Sequence, residues 1–181
     1  ALLVGVQLGK SLSAATGLPL LGVNHLEGHL LAARLLPTPP EPPFLALVVS
    51  GGHTSLYAVE SYGRYRRVGS TRDDAAGEAY DKVAKMMGLG YPGGRIIDNL
   101  AKEGNLEAIR FPRARLKKNS YDFSFSGIKT AVWHYLNSRD REQRQAQKQD
   151  VAASFQEAVV DMLVDPTIKA AVAHRIGQIV L

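Results

Sequence analysis

The chain has 181 residues, of which 45% are hydrophobic, so it can bury a core as one domain or two small ones. It has no cysteine, which excludes disulfides and thiolate metal ligands. Its net charge of +5 suits a nucleic-acid partner without establishing one, and no apolar run reaches the ~20 residues of a membrane span.

The first predicted element is a helix from Ala1 to about Thr16, stopped by Gly17 with Pro19 just beyond. Pro19 to Val23 is a short apolar run that reads as a strand, and it leads into a helix over His25 to Leu36. Pro37-Thr38-Pro39-Pro40-Glu41-Pro42-Pro43 holds five prolines in seven residues, too many for regular structure. It is the expected boundary between a first part, residues 1–41, and a second, residues 42–181.

Phe44 to Val49 reads as a buried strand, Ser50-Gly51-Gly52-His53 as a turn, and Thr54 to Val59 as the returning strand of a hairpin. A third strand is expected over Tyr65 to Ser70. Asp73 and Asp74 are placed to open a helix running through Met87, since acidic residues suit a helix start. Gly88 and Gly90 end it. A turn at Tyr91-Pro92-Gly93-Gly94 precedes a helix over about Ile96 to Lys102. Arg110 to Tyr121 is basic and irregular, and Phe125 to Leu136 is helical. The polar stretch Arg141 to Gln149 leads into a helix over Val151 to Val164, which Pro166 is expected to kink or break. Ile176 to Leu181 reads as a strand. Strands followed by helices and a fresh strand point to an α/β or α+β lobe. No signal peptide is apparent, and a cytoplasmic location is expected. Because Ala1 is not a start methionine and both ends read as elements under way, the chain is expected to be part of something longer.

Four constellations carry possible chemistry. In Asn24-His25-Leu26-Glu27-Gly28-His29 the two histidines stand four apart, on one helix face, so both imidazoles can meet one cation. Two ligands are not a finished centre. The Ser50-Gly51-Gly52-His53-Thr54 turn can expose backbone N–H groups to a phosphate, or serve only as a hairpin turn. In Asp73–Lys82 the acids Asp74, Glu78 and Asp81 are spaced to share a face, either for ribose hydroxyls or as a solvated stripe. Arg110, Arg113, Arg115, Lys117 and Lys118, with Arg64, Arg66 and Arg67, make a basic set suited to phosphates or simply to solubility. Glu27 gives H-x-E-x-H, the wrong slot for a zinc peptidase.

Together these segments resemble the tRNA threonylcarbamoyladenosine transferase catalytic subunit family, bacterial type, formerly labelled a glycoprotease. The matching blocks are NHLEGHL (Asn24–Leu30), LVVSGGHTSL (Leu47–Leu56), DDAAGEAYDKVAKMMGLGYPGG (Asp73–Gly94) and FSFSGIKTAV (Phe123–Val132), in the family's order and spacing. The resemblance implies the two-lobed α/β fold of actin, Hsp70 and sugar kinases, only partly covered by this chain. It implies transfer of a threonylcarbamoyl group from threonylcarbamoyl-AMP to N6 of the adenosine just 3′ of the anticodon. The tRNAs concerned read codons that begin with A.

Carried over by position, His25 and His29 are two ligands of one divalent metal ion, iron(II) or else zinc. Val48, Val49, Ser50, Gly51 and Gly52 contact the adenylate, Asp81 holds ribose or nearby hydroxyls, and Gly94 and Asp98 lie against the nucleotide. Glu78 is a neighbour, and no catalytic base is assigned. The third metal ligand and a further nucleotide-contacting block fall outside these residues, which taken alone are expected to be inactive. Arg95 stands where the family has proline. The implied bacterial partners are tRNA, an inactive paralogous subunit and a small ATPase, with no membrane. A glycoprotease-type metallopeptidase and a non-catalytic nucleotide-binding paralogue are the alternatives.

Overall fold

The computed structural model describes residues 2–114, 116 and 120–181. They form two compact units, one ending at Pro37 and the other beginning at Thr38.

The smaller unit carries helix α1 (Leu2–Thr16), helix α2 (His25–Ala32) and a tight helical turn over Ala33–Leu35. Gly17 ends α1 with φ 69°, the left-handed conformation that suits a glycine at a helix stop. The expected strand over Pro19 to Val23 is absent: the segment is irregular. Apolar composition favoured a strand, but a strand needs a hydrogen-bonding neighbour, and among the described residues no ladder reaches it. Asn24 starts α2 by accepting the Leu26 and Glu27 N–H groups at 3.0 and 3.2 Å.

In the larger unit a four-stranded sheet has the order β3-β2-β1-β4, built from β1 (Phe44–Val49), β2 (Thr54–Ser61), β3 (Arg64–Ser70) and β4 (Ile179–Val180). β1 and β2 form the expected hairpin, with Leu45 opposite Ala58 and Leu47 opposite Leu56. These four side chains join one core with residues from helices α3 (Ala76–Met86), α4 (Gly93–Ala101), α5 (Ser126–Asn137) and α7 (Lys148–His174). Phe44 and Val59 alternate to the other face and are buried as well, so β1 reads as an unbroken apolar run and β2 is apolar over Leu56 to Val59. β4 adds to β1 in parallel, Leu45 facing Ile179 and Ala46 facing Val180.

Three expectations are corrected here. Asp73 and Asp74 do not open α3, whose first residue is Ala76. Asp73 instead accepts the Ser124 hydroxyl at 2.6 Å and the Phe125 N–H at 2.7 Å, fastening the start of α5. Asp74 pairs with Lys82 and Lys129. Pro166 does not break its helix: α7 runs through it without interruption from Lys148 to His174. The ring removes one donor, but the next residue adds one, because the Thr167 hydroxyl donates to Leu163 O at 2.7 Å. Met162, Thr167 and Ala170 are buried on either side and hold the helix to the core. Finally, the polar stretch contains a separate short helix, α6 (Arg141–Ala146), started by a reciprocal cap between Asp140 and Gln143. Arg115, Lys117 and Lys118 of the basic set lie outside the described residues.

Candidate nucleotide and metal sites

The Ser50–His53 turn leaves β1 and is locked by its own polar groups. The Ser50 N–H donates to His53 O at 2.8 Å, and the His53 N–H to Ser50 Oγ at 3.1 Å. The start of α3 is pressed against this turn. A β-carbon on Gly77 would lie 2.7 Å from both Gly51 Cα and Ser50 O, so only glycine fits there. Three N–H groups at the start of α3 are occupied: Ala75 donates to Glu78 Oε2 (3.0 Å), Ala76 to Thr54 Oγ1 (2.8 Å) and Gly77 to Ser50 O (3.3 Å). Most of this helix start is therefore already committed within the fold. The Gly51 and Gly52 N–H groups, by contrast, donate to nothing among the described residues.

α4 meets α3 equally closely. A β-carbon on Gly93 would lie 2.6 Å from Ala84 Cβ and 2.8 Å from Tyr80 O. Asp81 Oδ1 accepts the Gly93 N–H at 2.7 Å, so this carboxylate caps α4 as well as facing the cleft. The three acids expected on one helix face are thus divided in role. Asp74 is ion-paired ahead of α3, Glu78 closes the first turn of α3, and only Asp81 reaches α4.

Between these elements lies a cavity of about 500 Å³. Its lining brings together Val49, Ser50, Gly51, Asp81 and Gly94 of the expected substrate residues. Val48, Gly52 and Asp98 are outside the lining; Val48 is half-buried on β1 and Gly52 exposed in the turn. Asp98 sits one helical turn beyond Gly94, where it pairs with Lys102 at 2.9 Å and accepts Gln156 Nε2 at 3.3 Å. The hydrogen bond from Lys102, then that from Gln156, holds the Asp98 carboxyl below its ordinary value. Gln156 in turn accepts from the Tyr80 hydroxyl, at 3.5 Å. Burial, and secondly the Asp98 charge, pushes the Tyr80 phenol up to about 12.

Sequence reasoning missed Tyr80, Tyr91 and the α7 residues Val159, Val160 and Leu163 as parts of the lining. Tyr80 stands next to Asp81 and Tyr91 opens the Pro-Gly-Gly turn, so both had a local signal. The α7 residues had none, because only the fold brings them to this cleft. Arg95 lines the same cavity from within the first turn of α4.

In the smaller unit, His25 and His29 turn toward each other, with Nε2 atoms 3.3 Å apart and ring centroids 4.6 Å apart. Two imidazole nitrogens bound at about 2.0–2.1 Å to one tetrahedral ion lie roughly 3.3–3.4 Å apart. The pair therefore fits two positions of one coordination sphere. Among the described residues no group of three or more His, Cys, Asp or Glu is arranged to hold a metal. Nor is any helix among them long and apolar enough to cross a membrane.

The sequence model of the family described as tRNA N6-adenosine threonylcarbamoyltransferase matches residues 1–181. A relative of that name from Clostridium botulinum (strain Hall) is 56% identical over 179 residues, covering 99% of this chain and 53% of the relative. One from Clostridioides difficile is 55% identical over 170 residues (94% and 50%), and one from Clostridium perfringens (strain SM101) 52% over 181 (100% and 53%). The chain spans about half the length of the curated relatives it matches.

Proposed function

The chain belongs to the tRNA N6-adenosine threonylcarbamoyltransferase family, with its actin/Hsp70/sugar-kinase type of α/β fold, and from that premise we propose that the protein modifies tRNA. The reaction is transfer of the threonylcarbamoyl group of threonylcarbamoyl-AMP to N6 of the adenosine just 3′ of the anticodon, in tRNAs reading codons that begin with A. The adenine amino nitrogen attacks the carbamoyl carbon, the bond from that carbon to the phosphate oxygen breaks, AMP leaves and N6 loses a proton.

The observation that carries this reading is the cavity that gathers the turn after β1, the Asp81 carboxylate and the first turn of α4. The Gly51 and Gly52 amides are the donors available for the adenylate phosphate. Asp81 has one oxygen fixed by Gly93, and in this reading the carboxylate serves ribose hydroxyls. Gly94 has nothing within 4 Å of its missing side chain, so a nucleotide can lie against its backbone. Tyr80 lines one side and is tied through Gln156 to Asp98, which stands behind the lining. Val48 and Val49 carry the strand end on which the turn is mounted.

His25 and His29 would hold one divalent ion, iron(II) or else zinc, completed by ligands outside these residues; when bound it supplies a Lewis acid for the carbamoyl carbonyl. In this reading residues 1–41 belong to the first lobe and 42–181 to the second. An inactive paralogue and a small ATPase are the protein partners, and the location is cytoplasmic, where tRNA is modified. The peptidase alternative is not favoured, since the relatives carry the transferase name.

The test is turnover by the full-length protein with threonine, bicarbonate, ATP, the adenylate-forming enzyme, the bacterial partners and unmodified tRNA. His25→Ala, His29→Ala and Asp81→Ala are run alongside. Modified adenosine from the parent, lost in the histidine variants and slowed with raised adenylate KM in Asp81→Ala, is the expected result. Absence of product with active partners and any tRNA would overturn the reading.

A further inference from the structure

A second face of the larger unit is assembled from three separate stretches of sequence. The end of α3 brings Lys82 and Lys85, the second half of α5 brings Trp133, and α6 with its flanks brings Arg139, Arg141, Arg144 and Lys148. They line two adjoining hollows of about 560 and 390 Å³, which share Met86, Leu136 and Arg144. The only carboxylate in the lining is Asp140, and it is committed to the start of α6, accepting the Gln143 N–H at 2.8 Å.

Most of the cations here have no carboxylate partner among the described residues. Lys82 pairs with Asp74, but among the described residues Lys85, Arg139, Arg141, Arg144 and Lys148 enter no ion pair. The Arg139 guanidinium lies 4.7 Å from the centre of the Tyr135 ring, and Arg144 Nε donates to Arg139 O at 3.1 Å, so both are held in place. Trp133, the single tryptophan of the chain, is 50% exposed beside them. Of the basic residues prominent in the sequence, three are spent elsewhere: Arg64 and Arg66 on Glu60, and Arg113 on Asp161.

Unpaired cations around an exposed indole match a single-stranded nucleic acid, whose phosphates take the cations and whose bases stack on the ring. An acidic protein surface would answer the cations but leave the indole without a flat partner. We infer that this groove is a docking surface for the tRNA substrate, with Lys85, Arg141, Arg144 and Lys148 on backbone phosphates and Trp133 against an unpaired base. The identity of the RNA rests on the transferase reading above.

The test is direct tRNA binding by the full-length protein across a salt series, compared with the Lys85→Gln/Arg141→Gln double variant, Trp133→Ala and Trp133→Phe. Losing two phosphate contacts should weaken binding and flatten the slope of log affinity against log salt by about 1.4–1.8. Trp133→Ala should weaken binding by roughly 5- to 150-fold, with most affinity retained by Trp133→Phe. If Trp133→Ala fails to fold, the double variant and Trp133→Phe carry the result. Parent-like affinity and salt slope in the double variant overturn the proposal, as does loss of a protein partner with tRNA affinity intact. Because binding is read without turnover, the expected binding pattern without product sinks the transferase reading and keeps the surface. Product with a parent-like KM for tRNA in every variant does the reverse.

Discussion

Gly77→Ala is the sharpest probe of how the cleft is built. The added methyl would lie 2.7 Å from Gly51 Cα and Ser50 O and 3.0 Å from Gly51 N, all backbone atoms that cannot rotate away. Reaching ordinary contact requires the start of α3 to retreat from the turn by roughly 0.7 Å or more. Overpacking of this kind costs about 1–3 kcal/mol. The Gly77–Ser50 and Ala76–Thr54 bonds, at 3.3 and 2.8 Å, stretch with it, each worth about 0.5–1.5 kcal/mol. Alanine's intrinsic helix preference returns at most about 1 kcal/mol, and less in a first turn. The expected net effect is destabilisation of about 1–3 kcal/mol in urea unfolding, with a raised KM for the adenylate. Gly94→Ala is the contrast: its methyl meets nothing within 4 Å, so stability should hold or rise slightly while KM for the adenylate still rises. A Gly77→Ala protein within about 0.5 kcal/mol of the parent, with unchanged KM, refutes the reasoning.

Asp74→Ala strands Lys129, whose side chain is only 17% exposed, and should cost about 2–4 kcal/mol; Glu60→Ala removes an exposed partner of Arg64 and Arg66 and should cost under about 1 kcal/mol, both read by chemical denaturation. Tyr80 should titrate in ultraviolet difference spectra near 12. Since its folded value is raised, the stability it adds is complete below 10 and is lost as pH climbs from 10 through about 12. Asp98→Asn should lower that midpoint, though by less than the effect of burial. Asn24→Ala removes the cap of α2 and should cost about 0.5–2 kcal/mol. It should also weaken metal binding in cobalt titrations without touching either histidine, and Asn24→Asp should restore both.

What could be read from the sequence followed from how local the cause was. The β1–β2 hairpin is visible because an unbroken apolar run precedes a Ser-Gly-Gly turn and an alternating segment returns from it, and both are buried strands. The start of α4 is visible because Gly93 and Gly94 follow Tyr-Pro. Asp73 and Asp74 misled, since acids suit a helix start, yet here they fasten α5 and two lysines some fifty residues on or one helix away. Pro166 misled because the Thr167 hydroxyl and a buried flank hold α7 together. The α6 cap was legible as Asp140-Arg141-Glu142-Gln143 and went unread under the polarity around it. For the cleft, the turn, Asp81 and Gly94 each carry a local mark, whereas Val159, Val160 and Leu163 reach it only through tertiary packing.

The parallel rung between β1 and β4 also sets an order of events as the chain folds. β1 meets β2 across a four-residue turn, a closure that takes microseconds. Its other neighbour lies about 130 residues further on, where Ile179 pairs with Leu45. Closing so long a loop carries an entropic term of roughly 4 kcal/mol, which two rungs of strand cannot offset alone. β4 must therefore wait until α7 has packed and delivered it. During synthesis on the ribosome, β1 accordingly spends some seconds to tens of seconds with one edge bare while those residues are added. In that interval the nascent protein is most open to mispairing with another chain, although the finished sheet shows no trace of it.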